Sequence, residues 1–274
     1  MVREILNNVP TGWLLVGATA VAIGIVLSSV LVIRRLVPAT GEGYHAEISA
    51  PMLGVVAALF GLFLAFVIII AYQNYLSAGT NISRESESLS ALVRDSAAFP
   101  EPEGAGVRRA VGTYVRAVVN DSWPLMREGK TGTLAVEGLN SIYAALRTVN
   151  PKSPQEVAFY NDAVTQLGTA LSARQDRLQS VAGGIPNIIM VLLLFNTLVI
   201  LAYAIFVGSP KFWFHVLGPA AIAVVVAVSL VVLVDLSYPF SGSVTVSPDS
   251  FKSGVLAQFF QGTGATVNTA PLGG

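Results

Sequence analysis

The chain contains no cysteine, which excludes disulfides, thiolate metal ligands and a cysteine nucleophile and leaves the redox compartment undecided. Histidine is scarce as well. His45 and His215 are the only two, far apart and without an acidic spacing pattern that would complete a metal site. Charge is thin: 12% of residues are Asp, Glu, Lys or Arg, against about 25% in an ordinary soluble domain. The 16 basic and 16 acidic residues balance, so no net charge draws the chain to nucleic acid. Above all, charge is missing from the interior of four long apolar runs, Gly12–Ile33, Pro51–Tyr72, Pro186–Val207 and Phe212–Val234. Proton- and ion-coupled transporters usually carry a central ionisable residue in a span, and its absence argues against that class.

What is present is apolar. Hydrophobic residues make up 53% of the chain, and the mean hydropathy is +0.66. Each apolar run is roughly 22 residues, or about 33 Å of helix, enough to cross a hydrocarbon core of about 30 Å. The first run is too long for a secretory signal core, and Arg34-Arg35 stand between it and the small-residue site Val37-Pro38-Ala39, so it reads as a retained anchor. The expected fold class is all-α: an integral membrane protein with four transmembrane helices and a helical soluble domain inserted between spans two and three. The expected division is spans one and two in 1–75, the soluble domain in 76–182, spans three and four in 183–236, and a tail in 237–274 whose end, from Gly262, is disordered.

Four crossings put the N-terminus, 76–182 and the tail on one side of the membrane. Arg3, Arg84, Arg174, Arg177 and Lys252 lie near helix ends on that side, against Arg34, Arg35 and Lys211 on the other. The excess favours a cytoplasmic domain, although Arg34-Arg35 directly after the first span argue the reverse.

The inserted segment reads as helices. No proline follows Tyr72 until Pro100, so the second span is expected to run unbroken to about Ala98, a rod of roughly 48 residues and about 70 Å. Val107, Val111, Tyr114, Val115 and Val118 form a helical face that should stop at Asn120-Asp121-Ser122. Leu139, Ile142, Tyr143 and Leu146 form another, closed by Asn150-Pro151. Ser153-Pro154-Gln155-Glu156 is a capping box opening a helix with the face Val157, Tyr160, Val164, Leu167, Leu171, Leu178 and Val181, which Gly183-Gly184 break. Only Ser243–Ser247 has any strand-like alternation.

Several residues resemble those of a known family: Phe60-Gly61-Leu62-Phe63-Leu64-Ala65-Phe66 leading to Tyr72-Gln73-Asn74-Tyr75 and Ala78, then Glu85, Leu89, Leu92 and Arg94, then Tyr114, Ser122-Trp123-Pro124 and Met126, and finally Arg174, Arg177-Leu178 and Ile185-Pro186. The most specific element is Asp235-Leu236-Ser237-Tyr238-Pro239-Phe240-Ser241-Gly242. Together they resemble a bacterial bestrophin-like membrane family over roughly residues 50–255, with the first span outside the resemblance. True bestrophins are pentameric anion channels with a long second helix and a large cytosolic helical domain. The resemblance therefore implies a homo-oligomer in a bacterial inner membrane, and it tips ion sign towards anions. The hallmark pore neck of the channels is not plainly present here, and their acidic calcium-clasp run is absent.

Phe60, Phe63 and Phe66 read either as a hydrophobic gate or as lipid-facing and core packing. Gly54, Ala58, Gly61 and Ala65 form a small-residue stripe suited to close helix packing. Asn196, near the middle of the third span, reads either as lining a water-filled path or, more readily, as making an interhelical hydrogen bond, because an unpaired amide there is costly. Asp235, with Pro239, Phe240 and Gly242, reads as a fixed corner in which the acid caps the domain helices or binds Arg174 or Arg177, with a place in an ion path as the alternative. Enzyme signals are weak. Gly129-Lys130-Thr131 mimics the end of a phosphate-binding loop, but Pro124 occupies the required earlier glycine position. Asn81-Ile82-Ser83 and Asn120-Asp121-Ser122 match a glycosylation acceptor that is common by chance. No enzymatic activity, cofactor or metal is expected. Two function classes remain: an oligomeric pore lined by the second span, and a non-conducting membrane anchor presenting the helical domain to a protein partner.

Overall fold

The computed structural model describes residues 2–36, 44–207 and 211–261. The expected disorder from Gly262 onward falls outside them. The regular elements among the described residues are all helical, with no strand: α1 (Val2–Asn8), α2 (Thr11–Leu36), α3 (Tyr44–Asp95), α4 (Glu103–Ala117), α5 (Trp123–Arg127), α6 (Leu134–Thr148), α7 (Pro154–Val181), α8 (Asn187–Val207) and α9 (Phe212–Ser237). Two short 3-10 turns, Pro248–Lys252 and Gly254–Phe259, follow α9. The segment Ser243–Ser247 is irregular. Four helices are long and apolar enough to cross a bilayer, and they coincide with the four apolar runs.

Contacts divide the chain into two compact units, with the division falling inside α3. The first comprises Met1–Leu76 and Gly183–Thr245. Within it α2 packs chiefly along α9, and α8 contacts both. Phe60, Leu64, Val67 and Ala71 of α3 enter one core with Leu193 and Ile200 of α8 and Val226 and Leu233 of α9. Val26 and Val30 of α2 enter a second core with Ile205, Val216 and Ala223.

The second unit comprises Ser77–Ala182 with the chain from Val246 onward. Its core takes Ile82, Leu89 and Leu92 from α3, Val111 and Tyr114 from α4, Ile142 from α6, Leu167 from α7, and Phe251 and Leu256 from the 3-10 turns. Asp95 ends α3 and a 3-10 turn carries on to Ala98. There Phe99 adopts an extended backbone, as steric conflict with the ring of a following proline requires. At its other end α3 starts at Tyr44 and takes Pro51 into its interior. Helix α4 does not stop at Asn120. Its path continues as a π-helical turn, Val118–Ser122, into α5, where Pro124 sits in the first turn and needs no amide partner. Ser153 caps α7 as expected, its Oγ accepting from the Glu156 amide at 3.1 Å while Glu156 Oε2 accepts from the Lys152 amide at 2.7 Å.

The buried face of α7 keeps Leu167 and Val181 of the expected face, with Tyr160, Leu171 and Leu178 half-buried, and departs from it at two positions. Val157 and Val164 are exposed, whereas Ala163, Leu167, Ala170, Ala173, Arg177 and Val181 are buried. Small side chains therefore supply much of its buried surface.

Candidate functional site

Four places hold polar or potentially functional side chains, and α3 supplies the first. Phe60, Phe63 and Phe66 recur every three residues, while the helix turns every 3.6. The rings therefore fan around α3 rather than forming a single row. Phe60 is buried in the core, Phe63 packs partly against it, and Phe66 is exposed. Gly54, Ala58, Gly61 and Ala65 do share one face, and every one of them is exposed within the single chain. A Cβ added at Gly54 or Gly61 would meet nothing within 4 Å.

The second place is the end of α9. Thr11 Oγ1 donates to Asp235 Oδ2 at 2.8 Å and also meets the Ser243 hydroxyl. Gly242, with φ +91°, lies in the left-handed region that favours glycine. A Cβ there would stand 2.6 Å from Asp235 Oδ1. The Gly242 amide donates to Asn7 Oδ1 at 3.0 Å, and the Arg3 guanidinium lies 5.0 Å from the Tyr238 ring centre. Pro239 and Phe240 are buried in the same corner. The corner exists, but its partners come from α1 and the start of α2, not from Arg174 or Arg177. That pairing was invisible in the sequence, because about 225 residues separate partners that only the packing of α2 on α9 brings together.

Third, Arg34 at the end of α2 donates from Nε to His215 Nδ1 at 3.2 Å, and His215 Nε2 lies 2.9 Å from the Ile205 carbonyl. The tautomer with hydrogen on Nε2 satisfies both contacts. Arg34 also lies over the Phe212 ring. Asn196 makes its bond inside its own helix, Nδ2 donating to the Leu192 carbonyl at 2.8 Å, in place of the expected interhelical bond. The turn of helix before it already offers an acceptor.

The fourth place lies in the second unit; its residues are among those that carry the family resemblance, but their meeting was not read from the sequence. Glu85 of α3 and Arg177 of α7 are 0% and 1% exposed and form a two-pronged ion pair: Nε to Oε2 at 2.7 Å and Nη2 to Oε1 at 3.1 Å. Tyr114 of α4 donates its hydroxyl to Oε1 at 2.6 Å, and Arg177 Nη1 contacts Met126 Sδ at 3.1 Å. The Phe251 ring lies 5.9 Å from the Arg177 guanidinium carbon. Burial, and then the charge of Glu85, push Tyr114 well above its ordinary pKa. Burial opposes the charge on Arg177, yet Glu85 outweighs it and raises its pKa. The group thus ties α3, α4 and α7 together as an ion pair with a phenol proton donor, in a geometry that matches two nitrogens to two oxygens. The available signal was Glu85 and Arg177 sitting on helical faces that are otherwise apolar.

A bestrophin-like domain model matches residues 20–251. The chain belongs to the bestrophin-like family. The match begins inside α2, so the family region takes in much of the first span as well, ahead of the start near residue 50 that the motifs suggested. Comparison with curated proteins finds no match, and comparison with solved structures finds none. Within this bestrophin-like chain the Asp235–Gly242 element and the Glu85–Arg177 pair both fall in the matched region.

Asp95, at the end of α3, is 7% exposed, and its Oδ2 finds no hydrogen-bond partner. Burial, then the charge of Asp162 on α7, push its pKa up to about 6 from 3.8, with Arg94 pulling the other way. A carboxyl held above its unfolded value withdraws stability as pH rises between about 4 and 6. Asp95→Asn should therefore stabilise the protein near pH 7.5 by on the order of 2 kcal/mol and have little effect near pH 4. Chemical denaturation at the two pH values tests this, and an equal effect at both would refute it.

Proposed function

We propose that this bestrophin-like protein is a homo-oligomeric, multi-pass protein of a bacterial inner membrane, in which the α3 helices of several copies line an ion path. The observation that carries this reading is the division of α3 into two faces. Phe60, Leu64, Val67 and Ala71 pack into the core of their own chain, while the stripe Gly54, Ala58, Gly61 and Ala65, and Phe66 beyond it, stay uncovered. Small residues allow close helix approach in lipid, so the stripe suits contact with a second copy. An aromatic constriction beside it suits closure by dewetting. The segment 76–182 is read as a soluble helical domain on the cytoplasmic side, by the excess of Lys and Arg near that side. Its 11 basic and 11 acidic residues set no ion sign, so the preference for anions rests on the family. No catalysis, cofactor or resident metal is proposed.

The reading is tested by native mass spectrometry of the purified protein, followed by flux assays in liposomes. A closed ring of four or more copies is expected, with Gly61→Leu reducing it to smaller species. Phe66→Ala should raise leak several-fold and Phe63→Ala less, because Phe63 is partly held in the core. A monomer or dimer, or unchanged flux in both phenylalanine variants, would overturn the axial pore. The uncharged interiors of all four spans equally favour a second reading, a non-conducting anchor whose helical domain engages a protein partner. A stoichiometric partner bound to 76–182 would select it.

A further inference from the structure

The second unit contains a groove of about 270 Å³ whose lining mixes polar groups with aliphatic carbon in about equal measure. One wall is a single face of α3, built by Ser83, Ser86, Glu87, Ser90 and Arg94. These positions follow steps of three, four and seven, so they stack along one side of the helix. The other wall is the 3-10 region after α9, where Ser250, Ser253 and Gly254 face α3 and Val255 is the sole large apolar group. This face points away from the buried Glu85 and takes no part in its ion pair. Serine is a mediocre helix former, and three of them on one face of α3 are unnecessary for making the helix.

The charges in the groove are one guanidinium and one carboxylate. Glu87 and Arg94 stand seven residues apart, about 10 Å along the axis, and no ion pair joins them among the described residues. Their side chains are exposed at the rim. The hydroxyls between them are of two kinds. Ser86 and Ser253 donate to the carbonyls of Ser83 and Ser250 at 2.9 and 3.0 Å, which leaves their oxygens as acceptors. The hydroxyls of Ser83, Ser90 and Ser250 have no such bond among the described residues and can donate. The groove therefore offers a cation and free hydroxyl donors to an anionic group, and a carboxylate and hydroxyl acceptors to an ammonium group.

We propose that this groove binds a compact zwitterion of the amino-acid class, lying along α3 with its carboxylate towards Arg94 and its ammonium towards Glu87. A simple anion would leave Glu87 as a repulsive neighbour, and a simple cation would do the same with Arg94. The volume accommodates a small amino acid. The proposal is independent of whether the chain conducts ions, since binding is measured on the purified protein without a membrane potential.

The test is calorimetric titration of the full chain in detergent with glycine and with L-serine, with acetate, inorganic phosphate and methylammonium as single-charge controls. Binding of the two zwitterions is expected to exceed that of each control. Arg94→Gln and Glu87→Gln should each weaken it by about tenfold or more, the effect of removing one charge-assisted hydrogen bond. Both side chains are exposed, so the variants should melt with the wild type. Absence of heat with both glycine and L-serine would overturn the proposal. So would acetate or phosphate binding as tightly as glycine with no response to Glu87→Gln, and so would wild-type affinity in both variants. Failure of these outcomes leaves the ring and flux results untouched, so the two readings fall separately.

Discussion

Glu85→Ala is expected to destabilise the protein by about 3–5 kcal/mol, the usual cost of leaving one member of a buried ion pair without its partner. Arg177 is 1% exposed and cannot turn to water without opening the packing of α3, α4 and α7. Its guanidinium would keep the Met126 sulfur, the Phe251 ring and the Tyr114 hydroxyl, none of which neutralises it. Tyr114 would lose its acceptor as well. Glu85→Gln keeps an acceptor for Tyr114 but removes the charge, and should fall between Glu85→Ala and wild type. The double variant Glu85→Leu with Arg177→Met removes both charges and should recover most of the loss, because well-packed apolar replacements of a buried pair are often nearly neutral. Melting of the purified proteins checks the series. If Glu85→Ala melted within a degree or two of wild type, the pair would have no structural role.

The second large effect is expected at Gly138. In α6 a Cβ at this position would stand 2.8 Å from the Tyr114 Cα and 3.2 Å from its Cβ and amide nitrogen. Backbone, not a flexible side-chain end, occupies the space, so α4 and α6 must separate to admit even a methyl group. Gly→Ala in a helix normally stabilises by up to about 1 kcal/mol, but here the clash should reverse the sign. Gly138→Leu should cost about 3 kcal/mol and loosen the Tyr114 bond to Glu85 with it. Gly168, in α7, is the control: nothing lies within 4 Å of its added Cβ, so Gly168→Ala should stabilise by about 0.5–1 kcal/mol. Gly138→Ala behaving like Gly168→Ala in the same melting experiment would show that the two helices yield easily.

Particular residues show why some elements were legible and others were not. The apolar runs predicted α2, α8 and α9 to within about three residues at each end. In each case charge or proline marks where burial in lipid would become costly. The end of α3 was readable from Pro100, which acts on Phe99 through local sterics alone. The α7 cap was readable because Ser153 and Glu156 act within one turn. The end of α4 was misread because Asn120-Asp121-Ser122 and Pro124 resemble a stop. A π-helical turn accommodates them, and the choice depends on Val118, Val119 and Trp123 being buried. The face of α7 was legible at Leu167 and Val181, which are buried, but not at Val157 and Val164, which are exposed while Ala163, Ala170 and Ala173 are buried.

By itself the sequence determined the membrane-crossing lengths, the helical class, the caps and breaks, and the family, since each of these depends on composition or on neighbours within a turn. Only the tertiary structure decided which face of α3 is covered and which is left open. The same holds for Asp235 meeting Thr11 rather than an arginine, for Glu85 finding Arg177 and Tyr114, and for the serine face of α3 meeting the turn after α9. Those outcomes join residues far apart in the chain, and a helical period names the residues on a face without naming what the face will touch.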